Sequence, residues 1–133
     1  GTVFMSVRDS DKELAVNIAR QLVELGFTVV ATRGTCRLLL EQGVPASMVH
    51  KVTDGSPHVV DLMKAGGVQL VINTVEGAKA ISDSFAIRRT ALIQKIPHYT
   101  TIAGAKAMVQ AIGSLRAGAL EVAPLQSYST STF

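Results

Sequence analysis

Phe27-Thr28-Val29-Val30-Ala31-Thr32-Arg33-Gly34-Thr35 is an apolar, β-branched run that passes at once into a hydroxyl- and glycine-rich turn. The five residues up to Ala31 predict a strand, and Gly34-Thr35 opens a short helix carrying Leu38, Leu39 and Leu40, closed by Gly43. The pattern repeats on both sides. Upstream, Thr2-Val3-Phe4-Met5-Ser6 predicts a buried strand, and Ser10-Asp11-Lys12-Glu13 has capping-box spacing ahead of Leu14, Ile18, Leu22 and Leu25 at helical intervals. Gly26 supplies the left-handed stop. Downstream come a shorter strand at Met48 to Val52 and a Ser56-Pro57 helix start leading into Val59, Val60, Leu62 and Met63. Gly66-Gly67 ends that helix, and Val68-Gln69-Leu70-Val71-Ile72-Asn73 follows as the strongest strand. A helix from Ser82 to Lys95 with Ile87, Ala91 and Leu92 on one face, a strand from His98 to Thr101 and a helix from Gly104 to Ala117 complete the series.

Strands alternating with helices imply βαβ units, hence an α/β fold: three layers, α/β/α, around a doubly wound, mostly parallel five-stranded sheet. The 133 residues, 47% hydrophobic and 17% charged, suit one domain over residues 1–118. The Ser- and Thr-rich stretch 119–133 has the composition of a partly disordered tail. The lone Cys36 excludes an internal disulfide and points to a reducing, cytoplasmic setting. No apolar run approaches the roughly 20 residues of a membrane span, and the opening Gly suggests a piece of something longer. The formal charge is +3, the longest basic run is Arg88-Arg89 and aromatics are 5% of the chain. A small anion therefore suits it better than nucleic acid.

In an open parallel sheet, ligands bind beyond the carboxyl ends of the strands. The loops expected there are Ser6 to Asp9, Thr32 to Thr35, Thr53 to Ser56, Asn73 to Gly77 and Thr100-Thr101. Thr32-Arg33-Gly34-Thr35 is the sharpest, because unpaired amides and the helix dipole at a helix start favour an anion. Lys12 and Lys51 are placed to add positive charge. Equally, Thr35 reads as an N-cap and both lysines as solvated. Asn73 reads either as a hydrogen-bonding group for a ribose or base, or as a turn residue. His50, His58 and His98 lack metal-ligand spacing, and Cys36 has no nearby His to activate it.

Six segments then fall in one order: Ser6-Val7-Arg8-Asp9-Ser10-Asp11-Lys12, Ala31 to Thr35, Lys51-Val52, Gly55-Ser56-Pro57-His58, Val71-Ile72-Asn73-Thr74 and Ile87-Arg88-Arg89-Thr90-Ala91. Together, over residues 1–117, they resemble the methylglyoxal-synthase-like domain at the C-terminal end of carbamoyl-phosphate synthase large subunits. The resemblance implies a regulatory, non-catalytic domain that binds nucleotide monophosphates such as uridine and inosine monophosphate. Phosphate-binding positions would be Lys12, Thr32, Gly34, Thr35 and Lys51, with ribose and base contacts at Asn73, Thr74 and Ser84. Thr101 would contribute to an ornithine site where the domain meets the synthetase body. No cofactor is expected in the domain itself. The parent ligase would use ATP with Mg or Mn, and its partners would be the rest of the large subunit and the glutaminase small subunit. Val75 and Ala78 depart from the family pattern beside the nucleotide.

Three alternatives stay open. A methylglyoxal synthase needs a carboxylate base, but this chain has Asp54-Gly55-Ser56 with a hydroxyl at the base position, and it lacks the family's Pro-His-Asp-Pro segment. An inosine-monophosphate cyclohydrolase domain shares the opening motif but needs a Lys-Thr-Leu-His-Pro-Lys segment missing here. A ligand-free interaction module is the third.

Overall fold

The computed structural model describes the backbone of residues 1–49, 59–74 and 78–122, and their side chains apart from 78–84 and 116–122. Five strands, β1 (Thr2–Ser6), β2 (Thr28–Ala31), β3 (Ser47–Met48), β4 (Leu70–Asn73) and β5 (His98–Tyr99), form one sheet in the order β3-β2-β1-β4-β5. Every pairing is parallel, so the expected doubly wound sheet is wholly rather than mostly parallel. The chain steps outward from β1 through β2 to β3, then returns to β4 on the other side. This reversal opens a crevice between the ends of β1 and β4, where Ser6 and Asn73 are register partners.

Strand side chains alternate between faces, and the two cores follow from that. Val3, Met5, Val29, Ala31, Leu70 and Ile72 face one way, under helices α1 (Lys12–Glu24), α2 (Arg33–Glu41) and α5 (Ile102–Val122). Phe4, Val30 and Val71 face the other way, under α3 (Val59–Lys64) and α4 (Ala78–Ile93). Each fully buried large side chain contributes about 1.5–3 kcal/mol of transfer free energy, so both helical layers are held by the same strands.

Gly26 takes φ +95° after α1, a conformation that costs a Cβ-bearing residue about 1–2 kcal/mol. There the Phe27 N–H donates to the Leu22 carbonyl at 2.9 Å and the Gly26 N–H to Val23 at 3.0 Å, closing the helix end with a Schellman motif. The same pair of bonds recurs after α2 and α3. After α4 the left-handed residue is Lys95, at φ 58°.

Helix phase and helix starts differ from the sequence pattern. Leu14, expected inward, is 47% exposed, because α1 turns Ala15, Val16, Ile18, Ala19 and Leu22 onto the sheet. Leu40 and Leu92, at 55% and 80%, likewise face outward, while Ile87, Thr90 and Ala91 carry the buried side of α4. The capping box does not form. Ser10 lies in a 3-10 turn (Asp9–Asp11), Asp11 is the N-cap, and it makes no side-chain cap bond. The third strand begins at Ser47, one residue early, and Val49 extends its ladder by donating to the Ala31 carbonyl at 2.8 Å. The Ser56-Pro57 helix start and the stretch 123–133 lie outside the described residues. α4 begins before the expected Ser82, and α5 runs past Ala117 to Val122. Among the described residues, no helix is long and apolar enough to cross a membrane.

His98 on the edge strand β5 has its Nε2 buried without a hydrogen-bond partner among the described residues. Burial foremost, and the Arg88 charge second, hold this imidazole below its ordinary value of 6.5. The folded state therefore binds fewer protons at His98 than the unfolded chain, so stability is lost as pH falls below about 6.5. Urea denaturation at pH 7.5 and 5.5 is expected to show a smaller acid penalty for His98→Phe than for the parent chain. An equal penalty would show that His98 does not titrate on unfolding.

Candidate functional site

The rim at the carboxyl ends of β1, β2 and β4 gathers most of the expected residues. Thr32 is the N-cap of α2, and its carbonyl accepts the Cys36 N–H at 2.7 Å. Its hydroxyl makes no cap bond; it donates to the Ser6 Oγ at 3.3 Å, tying β2 to β1. The first amides of α2 are thus not bonded by Thr32's side chain, which suits a helix start that takes up an anion. Thr35, one turn into the helix, is 2% exposed. Its Oγ1 accepts the Val7 N–H at 3.3 Å.

Lys12 approaches from the start of α1. A Cβ placed on Gly34 would come 3.4 Å from the Lys12 Nζ, so the ammonium stands over the glycine of the turn. Charge from the lysine and the helix-start amides therefore converge on Gly34, in the turn bracketed by Thr32 and Thr35. Lys12 also pairs with Asp9 at 2.9 Å, and the Arg8 Nε pairs with the buried Asp11 at 2.8 Å.

Across the crevice, Asn73 and Thr74 close β4, each 3% exposed. The Thr74 N–H donates to the Ser6 carbonyl at 2.9 Å, and its Oγ1 accepts the Arg8 N–H at 3.0 Å. Thr35 and Thr74 thus do the same structural job, each accepting an amide of the β1 loop. Accepting an amide leaves each hydroxyl proton available as a donor. Thr32 and Thr74 follow strands on either side of β1, two strand spacings or about 10 Å apart.

Thr101 follows β5 at the same edge but three strands from Thr32, about 14 Å away. It is exposed and caps α5, accepting the Gly104 N–H on its hydroxyl at 3.1 Å and the Ala105 N–H on its carbonyl at 3.1 Å. A small molecule lodged at α2 would not also touch it. Lys51 lies outside the described residues, as do Asp54, His50, His58 and Val75. Ser84 is in α4, with its side chain outside them. Cys36 is buried in the first turn of α2, where burial pushes its thiol up, the state of an unreactive core cysteine.

Three residues of the rim were not singled out as site residues from the pattern: Ser6, Arg8 and Asp9. For Arg8 and Asp9 the signal is in the sequence, since Arg8 with Asp11 and Asp9 with Lys12 are opposite charges at i,i+3 within a single turn; Ser6 carries none beyond its place at a strand end.

A family model for the MGS-like domain matches residues 14–100. The chain belongs to this family. The MGS-like domain is 57% identical over 128 residues to the carbamoyl phosphate synthase large chain of Rhizobium meliloti (strain 1021). It is 51% identical to that of Mesorhizobium japonicum and 50% identical to that of Nostoc sp.. Each match covers 96% of this chain, and the MGS-like domain spans only 11–12% of those relatives' length. Among solved structures, methylglyoxal synthase from Elizabethkingia anophelis superposes with a TM-score of 0.66 at 18% identity, covering 81% of this chain and 76% of the synthase. That likeness concerns the fold alone.

Proposed function

We propose that this domain is the effector-binding part of a carbamoyl-phosphate synthase large subunit. It binds nucleotide monophosphates of the uridine or inosine type without transforming them. One observation carries the reading: the Lys12 ammonium stands over Gly34 in the first turn of α2, the turn that Thr32 and Thr35 bracket, two strand spacings from Asn73 and Thr74. The names of the relatives support the same reading.

In this reading the phosphate sits over Gly34, with Lys51 as a second cation, and supplies affinity that all such effectors share. Asn73, Thr74 and Ser84 contact ribose and base and discriminate among them. Thr101, a separate site by distance, takes part where ornithine-linked regulation reaches the synthetase body. The reaction regulated is the parent's ATP- and glutamine-dependent synthesis of carbamoyl phosphate for pyrimidine and arginine production. Its ATP, its Mg or Mn and its glutaminase partner belong to the rest of that cytoplasmic enzyme. An effector shifts that reaction only as far as it prefers one conformation, commonly about 1–3 kcal/mol of coupling.

Calorimetric titration of the chain with uridine and inosine monophosphates, beside uridine and inosine, tests this. Saturable heat with the monophosphates and none with the nucleosides is the expected result. Equal responses to both sets would remove the phosphate from the recognition, and no response to any would leave the domain an interaction module.

A further inference from the structure

Of the four charged residues between Arg8 and Lys12, Asp9 is the most exposed, its side chain 91% accessible against 46% for Arg8, 29% for Lys12 and 9% for Asp11. Exposed carboxylates usually point into water. Asp9 instead places Oδ1 2.9 Å from the Lys12 Nζ, the ammonium that stands over Gly34. The other pair in the turn has a different character. Arg8 is committed through Nε to the buried Asp11, so that bond anchors the turn.

Taking the start of α2 as the phosphate-binding end, as proposed above, we infer that Asp9 is a built-in competitor for Lys12. Its carboxylate holds the ammonium when no ligand is bound, and an arriving phosphate must displace or share it. Asp9 thereby sets how tightly the domain holds any phosphorylated effector.

Three observations support this. The Lys12 hydrogen bond, then its charge, hold the Asp9 carboxyl below its usual value, so the competitor stays ionised throughout the neutral range. Asp9 is also the cheaper of the two acids to release, because a carboxylate with that exposure regains water when it lets go, whereas Asp11 would be left buried and unpaired. Finally, a phosphate carries more charge than a carboxylate and offers three acceptor oxygens, so the exchange runs toward ligand once a phosphate is present.

The test titrates inorganic phosphate and uridine monophosphate into the parent chain, Asp9→Asn, Asp9→Glu, Lys12→Ala and the Asp9→Asn/Lys12→Ala pair. The NMR shift of the Gly34 amide, which reads even millimolar affinities, reports binding. Asp9→Asn is expected to bind both ligands about two- to five-fold tighter, the range of an exposed ion pair, with Asp9→Glu close to the parent chain. At a fixed phosphate concentration, the paired variant should shift Gly34 no further than Lys12→Ala alone. Unchanged or weaker binding by Asp9→Asn overturns the inference. So does an equal gain in the Lys12→Ala background, which would make Asp9 a general repelling charge. Failure of the site itself looks different: no Gly34 response in the parent chain, or full affinity in Lys12→Ala.

Discussion

Thr35→Val is expected to weaken binding of every nucleotide monophosphate about tenfold or more and, at the same time, to destabilise the fold. Valine keeps the volume and loses the hydroxyl. At a position 2% exposed, that removes the acceptor of the Val7 N–H and leaves an amide buried without its partner, a cost of about 1–3 kcal/mol. In the proposed reading it also removes a donor to the effector's phosphate, where charge-assisted hydrogen bonds contribute about 1.5–3 kcal/mol. Lys12→Ala separates the two roles. It should weaken the same ligands comparably while leaving the urea midpoint nearly unchanged, because its partner Asp9 is exposed to water. Calorimetry and urea denaturation on both variants check this. If Thr35→Val were destabilised but bound ligand normally, Thr35 would be a structural acceptor only.

Phe4→Ala has the largest expected effect on stability, a loss of about 3–5 kcal/mol. Phe4 lies in the central strand, is 0% exposed, and belongs to the core shared with Val30, Val59, Val60, Met63, Val71 and Ile87. Its removal leaves a void beneath two helices that cannot both collapse into it. Against a typical total of about 5–15 kcal/mol, such a loss should bring the urea midpoint down sharply without changing the slope. Leu14→Ala and Leu92→Ala are the contrast, expected within about 0.5 kcal/mol of the parent because both side chains face water. Comparable losses at Leu14 and Phe4 would mean that α1 presents the other face to the sheet.

The contrast also marks where sequence reading stops. Leu14 and Leu92 belong to helical patterns that are real, yet apolar spacing does not say which rotation about the helix axis the sheet accepts. In α1 the small Ala15 and Ala19, both 0% exposed, allow close approach to the strands, and that contact outweighs the larger apolar area of Leu14. The Ser10 cap fails for a related reason. The turn is organised by the Arg8–Asp11 pair, which moves the N-cap to Asp11. By contrast, Gly26, Gly43 and Gly66 stop their helices as expected, because a positive φ is a local demand.

Strand runs, their helical partners and the glycine stops were all local, so chain order alone dictated an α/β sheet and a strand-to-helix turn at Thr32 to Thr35. What needed the folded chain was the meeting of distant segments: the reversal between β1 and β4, the Lys12 ammonium over Gly34, and Thr35 and Thr74 each accepting an amide of the β1 loop. The reason is physical. Propensity and periodicity act over a few residues, whereas the field and hydrogen bonds that grip a ligand depend on distances set only when separate strands lie side by side.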